Sequence, residues 1–220
     1  TLEGKQFSKS DGWTIDLQRF FDHYTSDQIR YTLAANAPET GDSEFSWKDF
    51  QQRCNTELLG KFGNLVNRTL IFARNNCAYT IPAKREVQAI DEEFLVQMKE
   101  LIAASYAAYS SFKLRKASQI IMELAQLGNV YFDRKKPWVD AKTEEGKSTM
   151  ETTIACCLEC LKTLALISFP IIPETAQKLW SLLGYTHPIQ EHSWKSVIAH
   201  FVPEGQVLPA PSPLFRKIED

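Results

Sequence analysis

Lys9 stands between Ser8 and Ser10, with Phe7 before them and Gly4 and Gly12 on either side. A loop of this make-up offers two hydroxyls and an ammonium, the groups that hold phosphate oxygens, and its glycines let it move. An ordinary solvated turn has the same composition, and taken alone the segment reads as one. Asn64 and Arg68 are four residues apart, so on a helix they project from one face. An amide carries both a donor and an acceptor, and a guanidinium carries a planar fork of donors; together they suit the edge of a nucleobase. A backbone-bonded amide and a surface ion pair are the alternatives at these two positions. Trp138 follows Pro137, whose fixed φ stiffens the chain and presents the indole either as a stacking platform or as a core side chain.

Other reactive residues form no such constellation. Cys156, Cys157 and Cys160 include one CxxC, but no second CxxC or histidine pair accompanies it. With Leu158 and Leu161 interleaved, buried free thiols are the expected state and no metal site is expected. His23, His187, His192 and His200 are scattered, and no nucleophile, base and acid set can be assembled from them. Five cysteines, an odd number, do not suit a secreted disulfide framework and point to a reducing, cytoplasmic setting.

The elements that must position these residues are helical. Ser46 followed by Asp49 reads as a capped helix start, and Phe50, Leu58, Phe62, Leu65, Val66, Leu70 and Phe72 continue at helical spacing to about residue 76. Further helices are expected over 91–110, over 114–134 with Pro137 beyond its end, and from 148 to the Pro170 break. A short one over 173–183 begins on Pro173 and stops at Gly184. Residues 1–45 mix short extended pieces with helices near 17–24 and 27–35. The tail, with Pro203, Pro209, Pro211 and Pro213, reads as an extended strap. The fold class is therefore mainly α: an antiparallel helix bundle with a small mixed α/β appendage at its N-terminus.

At 220 residues and 44% hydrophobic, the chain can bury a substantial core. Its net charge of −2 excludes a protein that coats nucleic acid by bulk charge. One local excess remains: residues 112–142 hold Lys113, Arg115, Lys116, Arg134, Lys135, Lys136 and Lys142 against Glu123, Asp133 and Asp140. Of these, Arg134, Lys135 and Lys136 read as a solvated patch able to attract phosphate. No apolar run reaches membrane-spanning length, so no membrane partner is expected. The start at Thr1-Leu2-Glu3-Gly4, without an initiator Met, reads as a segment of a longer polypeptide.

The stretch Glu3-Gly4-Lys5-Gln6-Phe7-Ser8-Lys9-Ser10 resembles the Lys-Met-Ser-Lys-Ser loop of class I aminoacyl-tRNA synthetases. Four further segments narrow the resemblance to methionyl-tRNA synthetase. They are Pro38-Glu39-Thr40-Gly41-Asp42-Ser43-Glu44-Phe45-Ser46-Trp47, Gly63-Asn64-Leu65-Val66-Asn67-Arg68, Lys136-Pro137-Trp138 and Pro213-Leu214-Phe215-Arg216-Lys217-Ile218-Glu219. They run in order along the whole chain.

The resemblance implies a signature-loop region over 1–45, a helical anticodon-binding domain over 46–200 and a C-terminal strap over 201–220. It implies that Phe7, Ser8, Lys9 and Ser10 form an ATP-binding loop, with Lys9 as the catalytic lysine that stabilises charge when methionine attacks the α-phosphate. Gln6 stands where the family has its first lysine, and Asp11 where an arginine is frequent. It further implies that Asn64, Arg68 and Trp138 read the anticodon of a methionine tRNA, supported by Pro137, with Trp138 stacking on the opening cytosine. The whole enzyme would use ATP and magnesium. The nucleotide-binding fold, the methionine pocket and the family's zinc site lie outside this chain, so the segment alone is expected to bind no cofactor and to be inactive. The implied partners are a methionine tRNA and the catalytic domain of the same polypeptide. A stand-alone helical tRNA-binding adaptor, or the same part of a leucine, isoleucine, valine or cysteine ligase, is the alternative.

Overall fold

The computed structural model describes residues 1–39 and 41–219. Thr40, inside the 38–47 motif, and Asp220, the last residue of the expected strap, lie outside them. The described residues form α1 (Leu17–Phe21), α2 (Ser26–Ala35), α3 (Trp47–Arg53), α4 (Asn64–Asn76), α5 (Ala89–Ser110), α6 (Leu114–Lys135), α7 (Pro137–Asp140), α8 (Lys147–Ser168), α9 (Pro173–Leu182) and α10 (Trp194–Ala199). The expected helical bundle is present.

α3 and α4 are one continuous rod, as the periodicity requires, capped by Ser46 Oγ accepting from Asp49 N at 3.1 Å. Between them Cys54–Gly63 widens into a π-helix. Gly60 and Gly63 accommodate it: a Cβ on either would lie 3.1 Å from Asn55 O or 3.2 Å from Leu58 O.

α8 is the centre of the bundle, buried on every side from Thr152 to Ser168. Its two charged core residues satisfy each other: Lys162 Nζ lies 2.8 Å from Glu159 Oε1 and donates to Val197 O at 3.0 Å. α5 and α6 are antiparallel neighbours across a tight turn. The start of α5 meets the end of α6, where Phe94 and Tyr131 stack at 3.9 Å. Asp27 on α2 accepts from Thr175 N at 2.6 Å in the first turn of α9. Arg30 donates to Ile171 O and Pro170 O, so α2 clamps the α8–α9 elbow. α9 starts on Pro173 and gives way to Gly184 at φ 89°, where a Cβ would sit 2.4 Å from Val207 O.

The N-terminal extended pieces reduce to isolated bridges, Leu2 with Lys5 and Phe45, and Ser8 with Trp13. Aromatic packing secures them instead. Phe20 and Tyr24 lie 5.5 and 5.0 Å from Phe50 of α3, so this region shares the bundle's core. The tail crosses the bundle as a strap. Leu208 N donates to Tyr79 O, Phe215 packs edge-on against Phe62, and Ile218 N donates to Asn55 Oδ1.

Candidate nucleic-acid interface

α4 and α6 run side by side in the same direction. Gly128 allows the close approach: a Cβ there would lie 2.6 Å from Leu65 Cδ2 and 3.2 Å from Cys160 Sγ, both in the core. Two four-residue steps then face each other. Asn64 Nδ2 donates to Asn129 Oδ1 at 3.1 Å, and Arg68 Nη2 donates to Asp133 Oδ1 at 2.6 Å. Asn129 in turn donates to Lys61 O and Ala125 O, each at 3.0 Å. That network fixes which way both amides point and leaves Asn64 Oδ1 as the acceptor available to solvent.

Phe132, buried between these pairs, carries the Arg68 guanidinium 4.3 Å above its ring and packs edge-on to Phe72 at 5.9 Å. Trp138 also packs near Phe132, with ring centroids 6.0 Å apart and planes tilted by 32°. Lys136 takes the left-handed conformation (φ 49°, ψ 56°), turning the chain out of α6 so that buried Pro137 opens α7 and Trp138 stays 40% exposed. The structure thus brings Asn64, Arg68 and Trp138 to one surface. It offers an indole face for stacking, a stacked guanidinium and an oriented amide acceptor, the groups that take up an unpaired base.

Three residues that sequence reasoning missed hold this surface together: Asn129, Phe132 and Asp133. Their spacing of three and four places them on one face of α6, matched to Asn64 and Arg68, but nothing local says which partner helix that face meets. The ion-pair alternative for Arg68 is realised through Asp133, and it coexists with the stacking on Phe132.

Lys135 needs correcting, since it is not part of a solvated patch. Its ammonium is buried 2.9 Å from Asp91 Oδ1, which also accepts from Tyr131 Oη at 2.6 Å, and it donates to Gln88 Oε1 at 2.7 Å. At that point in the last turn of α6 the side chain faces α5 and not water.

The Lys9 loop lies at the other end of α6. Ser8 and Trp13 close a hairpin through backbone bonds of 3.1 and 2.8 Å, and Gly12 turns it at φ 68°. Ser8 Oγ donates to Asp11 Oδ2 at 2.9 Å and lies 3.1 Å from Ser10 Oγ, so Asp11 braces the loop. Lys9 is exposed, with no ion-pair partner among the described residues. Phe7, half-exposed, lines a groove of about 410 Å³ with Ile29, Pro38 and Phe45. Next to it, Ala37 and Glu39 accept from Arg115 at the start of α6. α6 spans 22 residues, so on the order of 30 Å separates this end from Trp138.

Cys156, Cys157 and Cys160 are free thiols in the core, and burial pushes them upward, Cys156 to about 11. Among the described residues no cluster of His, Cys, Asp or Glu is placed to hold a metal ion, and no helix is long and apolar enough to cross a membrane.

Two family models match the chain in succession. A family described as class I tRNA synthetases (M) matches residues 1–70, and one described as the anticodon binding domain of methionyl tRNA ligase matches residues 81–220. The methionine–tRNA ligase of Protochlamydia amoebophila (strain UWE25) is 58% identical over 100% of this chain, which spans 31% of that protein. The methionine–tRNA ligase of Chlamydia pneumoniae is 41% identical over 99% of the chain, covering 41% of its own length. The Mycobacterium tuberculosis methionyl-tRNA synthetase in complex with methionyl-adenylate superposes with a TM-score of 0.88 at 28% identity, over 97% of this chain and 42% of that one.

Proposed function

The chain belongs to the methionyl-tRNA ligase anticodon-binding family, and on that premise we propose that it reads the anticodon loop of a methionine tRNA for a ligase whose catalytic domain lies on the same polypeptide. The observation that carries this reading is the Arg68–Phe132–Trp138 stack beside the oriented Asn64 amide. Trp138 stacks on the opening cytosine. Asn64 Oδ1 accepts from a base donor, and the outer edge of Arg68 serves a base edge or phosphate. Pro137 holds the indole in place. Residues 46–200 act as the recognition domain and 201–220 as its strap.

Residues 1–45 supply the ATP loop to the catalytic domain. Lys9, exposed and without an ion-pair partner among the described residues, brings its ammonium to the phosphates and offsets negative charge as pyrophosphate leaves; Ser8 and Ser10 hold the loop in shape, and Phe7 anchors it. The whole ligase uses ATP with magnesium. No set of described residues here fits magnesium or zinc. Alone, the chain forms no adenylate, and the setting is cytoplasmic.

The test is discrimination: in filter binding, a methionine tRNA should bind more tightly than the same tRNA with its first anticodon base changed. Equal affinities for the two would remove the anticodon from the reading.

A further inference from the structure

Tyr79 lies just past the end of α4, is 55% exposed, and shares left-handed backbone with Ala78 (φ 61° and 50°). That conformation is unfavourable for residues bearing a Cβ, and glycine or asparagine adopts it more readily. The turn has a structural use. It places Tyr79 O 2.8 Å from Leu208 N and Ile81 N 2.9 Å from Gln206 O, docking the tail. Only backbone atoms serve that purpose, and they leave the choice of a large aromatic side chain unexplained. The ring is reached by solvent and carries the Arg74 guanidinium 5.0 Å from its centroid. Arg74 has no carboxylate or hydrogen-bond partner among the described residues.

This is the same chemistry as the Arg68–Phe132–Trp138 cluster, at the same end of the molecule. α4 and α6 run in the same direction with Arg68 level with Asp133, so the C-terminal part of α4 continues past the end of α6. Cys77 Sγ lies 3.9 Å from Met150 Sδ in the first turns of α8, the helix on which α7 packs. On α4, the exposed Asn64, Asn67, Ile71 and Asn75 form a strip at helical spacing that leads from Arg68 toward Arg74. From Asn64 to Tyr79 that strip is about 20 Å long, room for several nucleotides of a looped strand.

We propose that Tyr79 and Arg74 form a second stacking subsite, which takes an unpaired nucleotide of the tRNA anticodon arm other than the one that meets Trp138. Tyr79 stacks on the base, and the uncompensated Arg74 charge meets the adjoining phosphate. A nucleotide is the occupant that suits both groups, because it presents a π-face and an anion side by side. The inference rests on the anticodon-reading function above.

Tyr79→Asn removes the ring but keeps a residue at home in left-handed backbone, and Tyr79→Phe keeps the ring. Thermal melts come first, then filter binding of a methionine tRNA transcript and of its isolated anticodon stem-loop to the 220-residue chain. Tyr79→Asn should weaken both RNAs by about 5- to 150-fold, the range for one lost stacked base, while Tyr79→Phe binds as the parent does. Arg74→Gln should weaken both and lower the slope of log affinity against log salt by about 0.7. A Tyr79→Asn chain that melts and binds like the parent overturns the proposal. So does a loss confined to the whole tRNA, which places the contact outside the anticodon arm, and so do low melting temperatures for both Tyr79 variants, which make the ring a packing element. Trp138→Ala, run in parallel, separates the two levels. If it weakens binding while Tyr79→Asn does not, only the second subsite falls; if neither does, the anticodon reading falls as well.

Discussion

Replacing Trp138 by alanine perturbs two things at once, and the structure gives a size for each. The residue is 40% exposed, so about three fifths of it is covered by protein. For a tryptophan of about 250 Å² that is on the order of 150 Å², and at about 25 cal/mol per Å² the lost burial is at most about 4 kcal/mol. Such a loss is a sizeable part of the roughly 5–15 kcal/mol that holds a domain together. The exposed remainder, on the order of 100 Å², is what a base can cover. Its burial corresponds to about 2.5 kcal/mol, inside the range of about 1–3 kcal/mol found for single stacked bases.

The two effects separate in a cycle. Parent and Trp138→Ala chains are melted first, and binding is measured at a temperature where both are folded. Each is tested against a methionine tRNA and against the same tRNA lacking its first anticodon base. The variant should lose about 1–3 kcal/mol with the intact tRNA and little with the abasic one, because ring and base belong to one contact. Trp138→Phe should recover part of the loss. Equal losses on both RNAs would show that the indole acts through the fold and not on the base. Unchanged affinity in a folded variant would refute the stacking role outright.

Lys135→Met should lower stability by about 3–5 kcal/mol in urea unfolding, because it leaves Asp91 buried without its cation; adding Asp91→Asn should restore much of it, and an unchanged urea midpoint would mean the pair is not buried. Asp27 is buried beside Glu174, and desolvation holds its carboxyl above the ordinary 3.8. Between that value and the raised one the folded chain keeps the proton that the unfolded chain has lost, so this group's contribution to stability falls as pH rises through the window. Relative to Asp27→Asn, the parent should therefore lose stability from about pH 4 upward, and parallel urea curves for the two would contradict this. Burial pushes Cys54 and Cys77 up to about 12 and Cys156 to about 11, so none of the five thiols should react with an aromatic disulfide reagent at pH 8 until urea is added. Prompt reaction of a native thiol would place it at the surface.

What the sequence discloses is the part governed by neighbours along the chain. Pro173 and Gly184 delimit α9 because each acts on its own backbone, and Ser46 announces α3 because its hydroxyl reaches only three residues ahead. Asn64 and Arg68 share a face for the same reason. The roles of Lys135, Asn129 and Asp133 depend on which helix lies opposite, and those partners are 44 to 68 residues away. A lysine near the end of a helix, next to two other basic residues, looks solvated unless the position of Asp91 is known. The π-helical stretch is also hidden, since Gly60 and Gly63 read locally as weak points in a helix while the packing uses their missing Cβ atoms.

The ion pair at Arg68 and the base-reading role proposed for it are compatible. Asp133 engages Nη2 alone, leaving the remaining donors of the guanidinium without partners among the described residues. With the two side chains 26% and 60% exposed, the pair is screened by water and contributes about 1 kcal/mol at most; the stacking on Phe132 adds a similar amount. Together these are enough to hold the fork in one orientation, which reduces the entropy lost when a base or phosphate arrives. They are too weak to keep it from shifting toward a phosphate that offers a full charge. The Arg68–Asp133 contact therefore acts as a support for the recognition surface, and its carboxylate, at the rim of that surface, also disfavours any strand whose phosphate would have to lie against it.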